Sequence, residues 1–133
     1  MSISKSFVFI NRKVPYGTIY ALEALEVVLI AAAFEQQVTL IFMDDGVYQL
    51  TQNQNPTNIG MKNFSKTFGA LGDYDIGQIF VDYESLNLRG LNADDLQPLT
   101  YEITDGVEQP SIKLVPRSEL GDIIEAADVL LNF

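Results

Sequence analysis

Three acids stand where an α/β protein could do chemistry. Asp44 and Asp45 lie in FMDDGVYQL, and Asp82 opens DYESLNLRG directly after GQIFV. Each follows a short apolar run, so all three are expected at the carboxyl ends of buried strands, just where open α/β sheets gather ligands. Acids on neighbouring strand ends could bind Mg²⁺ as in a phosphoacceptor receiver domain. A receiver's acidic pair follows its first strand, however, and here the first strand ends in Asn11, Arg12 and Lys13. The preferred reading of MDDGV is a strand-to-turn signal, with the aspartates accepting free amides and Gly46 taking a positive φ. Asp82 is likewise expected to be structural, a short carboxylate capping the turn beyond its strand. As a general base it would need a raised pKa, which nothing in the sequence indicates. KVPYGT occupies the place of a phosphate loop but lacks both GxxxxGK[ST] and GxGxxG, so Gly17 is read as the tight turn before a helix. No metal and no cofactor is expected.

Composition narrows the chemistry further. The 133 residues include no cysteine, histidine or tryptophan. Without cysteine there is no disulfide framework, thiolate metal site or thiol nucleophile. Without histidine the usual proton shuttle at neutral pH is gone. A formal charge of −10 disfavours phosphate backbones and anionic lipid, so neither direct nucleic-acid binding by this chain alone nor membrane association is expected. The longest apolar run, Val27 to Phe34, falls far short of the roughly 18 residues that span a bilayer. MSISKSFVFIN does not read as a secretory signal, and a cytoplasmic location is expected.

The elements that must position the acids follow from the same rows. Ser6 to Ile10 and Val38 to Met43 are continuous apolar runs, the pattern of strands buried on both faces. Between them, Gly17 to Gln36 has the length and residues of a helix, with Thr18 as a candidate N-cap. The unit recurs as a helix from about Ile59 to Leu71, capped by Thr57 or Asn58 and ended by Gly72, then a strand at Ile79 to Val81. Asn92 to Leu96 suggests a short helix and Tyr101 to Thr104 a strand, within an excursion that carries several acids. SIKLVP reads as a strand, a helix opens near Ser118, and VLLNF closes the chain as a last strand. The fold class is α/β: one domain over residues 1–133, an open, mostly parallel sheet of about five strands with helices on both faces.

Five ordered segments, PYGT, FMDDGVYQL, FGALGDYDIGQIFV, SLNLRGL and ADVLLNF, together resemble the DsrE/DsrF-type sulfur-relay proteins, closest to the TusC/DsrF branch. The resemblance covers nearly the whole chain and implies a DsrEFH-like fold. Relatives of the TusD/DsrE type carry a persulfide on a cysteine just past the third strand. The matching position here is Asp82, with Arg89 and Gly90 retained, and a carboxylate cannot form a persulfide. The resemblance therefore implies a silent, non-catalytic subunit in a hetero-oligomer with TusD/DsrE-like and TusB/DsrH-like partners, serving sulfur transfer towards 2-thiouridine in tRNA or, in the DsrF-like relatives, sulfur oxidation.

The first helix is apolar all round from Val27 onward, which suggests contact with another subunit. Val27, Leu29, Ile30 and Phe34, with Val47 and Tyr48 of the DDGVYQL segment, are the candidate interface. The rival reading is a stand-alone homo-oligomeric module that binds a small molecule in a strand-end pocket of Tyr16, Asp44, Asp82, Tyr83 and Arg89.

Overall fold

A computed structural model describes residues 4–17, 19–52, 54 and 65–133. Its centre is a five-stranded sheet of β1 (Ser6–Asn11), β2 (Gln37–Phe42), β3 (Gln78–Asp82), β6 (Ile112–Val115) and β7 (Val129–Asn132), in the spatial order β6-β3-β2-β1-β7. Every pairing in it is parallel. Phe9, Leu40, Ile41, Ile79 and Val81 are essentially inaccessible, which is why the strands read as unbroken apolar runs. The sheet is thus covered on both faces. One face holds the larger core, where Phe9, Leu40, Phe42 and Ile79 meet Ala21, Leu25 and Val28 of α1 (Tyr20–Ala33) and Phe68 and Leu71 of a 3₁₀ segment. The other packs Val8, Ile10 and Ile41 against Leu120 of α3 (Arg117–Glu125).

Several boundaries differ from the sequence expectation. Helix α1 starts at Tyr20 behind Ile19, which donates no side-chain cap, and Thr18 lies outside the described residues. The expected helix from Ile59 lies largely outside them too, together with its candidate caps Thr57 and Asn58. What is described there is a 3₁₀ stretch, Ser65–Tyr74, that runs past Gly72. Gly72 is needed for proximity, since a Cβ on it would lie 2.4 Å from the Thr100 carbonyl oxygen. The excursion before β6 forms a two-stranded antiparallel hairpin, β4 (Thr100–Thr104) and β5 (Val107–Pro110). The short helix expected at Asn92 to Leu96 is a 3₁₀ turn, Ala93–Asp95, closed by a reciprocal capping box between Asn92 and Asp95.

Gly46 does not take a positive φ. That conformation belongs to Asp44, at 52°. Gly46 is instead required by crowding: a Cβ on it would come within 1.9 Å of the Asn11 carbonyl oxygen. The segment Asp44–Leu50 coils as a 3₁₀ helix, burying Val47 and Leu50 completely in the core. Val47 accordingly has no surface to offer a partner, which corrects its place in the candidate interface.

Candidate functional site

The carboxyl ends of β1, β2, β3 and β6 converge on one side of the sheet, and all of the chain's arginines stand among them. Asp82, the last residue of β3, is fully buried. Helix α2 (Tyr83–Leu88) begins immediately after it, so Asp82 occupies the N-cap position, yet its side chain makes no capping hydrogen bond. Its Oδ2 accepts from the Ser85 hydroxyl at 2.6 Å and from Nη2 of Arg117 at 2.7 Å. Arg117 is the first residue of α3, carried there because β6 pairs with β3 and sets Val115 opposite Asp82. The expected turn cap is therefore an ion pair between two elements 35 residues apart.

The network continues across the sheet. The Asp44 backbone N–H donates to Ser85 Oγ at 2.8 Å, so Ser85 links the ends of β2 and β3. The Asp44 carboxylate accepts from Nε of Arg12 at 2.8 Å, and Arg117 lies 4.0 Å from its other oxygen. Asp45 pairs with Arg89 at 3.0 Å, while Nη1 of Arg89 donates to the Ser85 carbonyl. Each of the three aspartates thus has an arginine beside it, and Arg117 stands between Asp82 and Asp44. Among the described residues, no group of three or more His, Cys, Asp or Glu side chains is placed to hold a metal ion.

The surroundings of Asp82 favour its charged form. Burial by itself would raise its pKa, because a low dielectric penalises charge. The Ser85 hydroxyl and the Arg117 hydrogen bond and charge outweigh that, with a smaller contribution from the neighbouring Glu84 amide, and the carboxyl lies below its ordinary value. Among the described residues the Asp82 side chain makes no helix-capping hydrogen bond, and Oδ1 is buried without a partner. A lowered pKa makes Asp82 a poor general base, the reverse of what proton abstraction near neutral pH requires.

Of the expected pocket residues, the fold brings Asp44 and Asp82 together through Ser85, and Arg89 joins them through Asp45 and the Ser85 carbonyl. Tyr16 is half-buried and packs against the larger core, while Tyr83 is half-exposed on α2. Sequence reasoning missed Ser85, Arg12 and Arg117. Arg117 had one usable signal, its position after a strand-ending Pro116, but its partner follows only from the β3–β6 pairing. Of the candidate interface on α1, Ile30 and Phe34 are 57 % and 72 % exposed and Val27 is at the border of exposure, while Leu29 leans partly on the core. Tyr48 is half-buried.

These features define a class: an open parallel α/β fold whose strand-end site is filled by its own salt bridges. The chain belongs to the DsrE/DsrF-like family, whose model matches residues 5–133. It is 47 % identical over 133 residues to the intracellular sulfur oxidation protein DsrF of Allochromatium vinosum, covering 98 % of each chain. It is 39 % identical over 88 residues to a TusC homolog of Vibrio parahaemolyticus, covering 66 % of this chain and 75 % of that one. To the TusC protein of Escherichia coli O8 it is 36 % identical over 100 residues, covering 75 % and 82 %. A crystal structure of the ychN protein from E. coli shares the fold, with a TM-score of 0.74 at 17 % identity, covering 97 % of this chain and 99 % of that one. Among the described residues, no helix is long and apolar enough to cross a membrane.

Proposed function

We propose that this chain is a non-catalytic, architectural subunit of a cytoplasmic sulfur-relay complex, folded as one domain over residues 1–133. The observation that carries the reading is Asp82: a buried carboxylate, held by Arg117 and Ser85, fills the position that the family resemblance assigns to a sulfur-carrying cysteine, in a chain with no cysteine at all. A relay step needs a thiolate or persulfide sulfur, which a carboxylate cannot replace. The sulfur then travels on a cysteine-bearing TusD/DsrE-like partner, with a TusB/DsrH-like chain completing the hetero-oligomer. The exposed apolar face of α1, with Val27, Ile30 and Phe34, supports a subunit contact. The reading of a stand-alone binding module is the less supported of the two, because the strand-end pocket it needs is occupied by ion pairs.

Both destinations implied by the family resemblance remain within this reading. The near full-length match to a sulfur oxidation protein supports oxidation, whereas the TusC matches that support 2-thiouridine in tRNA cover less of the chain. The test is reconstitution with a cysteine-bearing DsrE-like and a short DsrH-like chain, persulfide loading, and intact-mass measurement of each subunit. Added sulfur is expected on the cysteine-bearing partner and never on this chain. Failure of the three to co-elute, or sulfur retained on this chain, would overturn the reading.

A further inference from the structure

We propose that the free edge of β6 captures, by strand addition, a short extended segment of another protein, neutral or basic and with apolar side chains at alternate positions. This site lies apart from the Asp82 position and does not depend on the assembly reading. Strand β6 ends the sheet, with β3 on one side and, among the described residues, no strand on the other. The register sets Ile79 opposite Ile112, and the Ile79 N–H donates to the Ser111 carbonyl. Peptide groups alternate in direction along a strand, so Ser111, Lys113 and Val115 face β3 while Ile112 and Leu114 present N–H and C=O outward. Among the described residues no backbone group pairs with these two donors and two acceptors. Pro110 stands shortly before them and Pro116 shortly after, and neither has an N–H to donate. Prolines blunt an edge against indiscriminate pairing, and what stays open between these two fits a strand of roughly three or four residues.

Side chains select the occupant. Val115 packs on the α3 side of the sheet and Lys113 lies over the Phe80 ring, which leaves Ile112 and Leu114 together on the other face. There they border a cleft of about 290 Å³, completed by Gln52, Ala93, Asp94, Leu96, Gln97 and Pro98. Its far wall is fixed: the Gln52 side chain donates to the Asp94 and Leu96 carbonyls, the Gln97 N–H donates to the Leu50 carbonyl, and Asn92 and Asp95 close a capping box. The cleft is therefore formed in the free chain, which lowers the cost of binding. An antiparallel strand would exchange both bonds with Ile112 and both with Leu114, and the two residues opposite them would turn their side chains onto the cleft face. Leu96, Pro98, Ile112 and Leu114 give those side chains an apolar seat. Main-chain bonds thus supply affinity and the cleft supplies selectivity. The one charge in the lining is Asp94, in a chain of formal charge −10, so an acidic segment is repelled and a neutral or basic one accepted.

The full chain would be titrated with the capped peptide acetyl-Lys-Val-Thr-Leu-Lys-amide, following backbone amide resonances and hydrogen exchange. Binding should move Ile112 and Leu114 saturably and slow the exchange of their N–H groups, while exchange at Lys113 and Val115, already bonded to β3, stays as it was. N-methylating the peptide at Val and Leu removes its donors and should weaken binding at least roughly tenfold, as should replacing both by Ser. Neither arm requires a variant to fold. Leu114→Pro deletes one outward N–H without touching the bonds to β3, and it too should weaken binding roughly tenfold. Leu130→Lys on the opposite edge should bind as the parent does. Equal binding of the N-methylated or Ser peptide, or shifts that map elsewhere, would overturn the proposal. So would concentration-dependent protection of Ile112 and Leu114 without peptide, the mark of a second copy at this edge.

Discussion

At the scale of single residues, Asp82 concentrates the physics of this protein. Its carboxylate is buried and charged, a costly combination that persists because Arg117 and Ser85 both donate to Oδ2. Asp82→Asn keeps an acceptor oxygen but discards the charge that Arg117 neutralises. Since Arg117 is half-exposed and can be rehydrated, the expected loss is modest, about 1–2 kcal/mol by urea unfolding at pH 7. The pH dependence has a definite sign. The folded pKa lies below the ordinary 3.8, so between the two values the unfolded chain binds the extra proton. The contribution of Asp82 is complete above 3.8 and is lost as pH falls through the folded value. Asp82→Asn should therefore flatten the acid limb of the stability curve; an unchanged acid limb would show that the ion pair contributes nothing. Asp82→Cys tests the silent site directly. Arg117 and Ser85 would stabilise a thiolate, so the new thiol should titrate below the usual value of about 8.5. Burial should nevertheless keep its alkylation slower than that of an exposed cysteine, measured against a free thiol standard.

At the scale of elements, one short segment governs how the site is assembled. The 3₁₀ helix Asp44–Leu50 can follow β2 so tightly only because Gly46 presents no side chain to Asn11. Gly46→Ala forces backbone movement and should cost about 3 kcal/mol, at the upper end of overpacking effects. A loss under about 0.5 kcal/mol in denaturant unfolding, the range of ordinary surface changes, would refute that account. Helix α1 poses the opposite question, an apolar surface without cover. Ile30→Lys should leave the isolated chain folded, because Ile30 is already 57 % exposed, and should reduce assembly with partner subunits by light scattering. Full-mass complexes from Ile30→Lys and from a matching Phe34→Lys would remove α1 from the interface. The hairpin β4–β5 escaped full reading because it buries little: Glu102, Ile103, Val107 and Glu108 are all exposed, so no apolar pattern marks its strands.

At the scale of the whole molecule, charge is distributed unevenly: an acidic chain gathers its arginines at one end of the sheet, each answered by an aspartate. Direct tRNA binding by the isolated chain is accordingly expected to be negligible at physiological salt, and filter binding with a sub-micromolar Kd would contradict this. The amino-acid sequence alone determined the parallel α/β class, because strands covered on both faces must be apolar throughout, and Phe7 to Ile10 and Val38 to Phe42 carry that requirement locally. It also determined that no cysteine persulfide can form on this chain, since that follows from composition. Tertiary structure decided the rest. Whether Asp82 would cap a turn, act as a base or form a salt bridge depended on which strand lay beside β3, and β6 brings Arg117 from 35 residues away. Val47 and Ile30 read alike in a list of apolar residues, and only packing separates the buried one from the exposed. Such outcomes arise from long-range pairing and close approach, which local residue patterns do not encode.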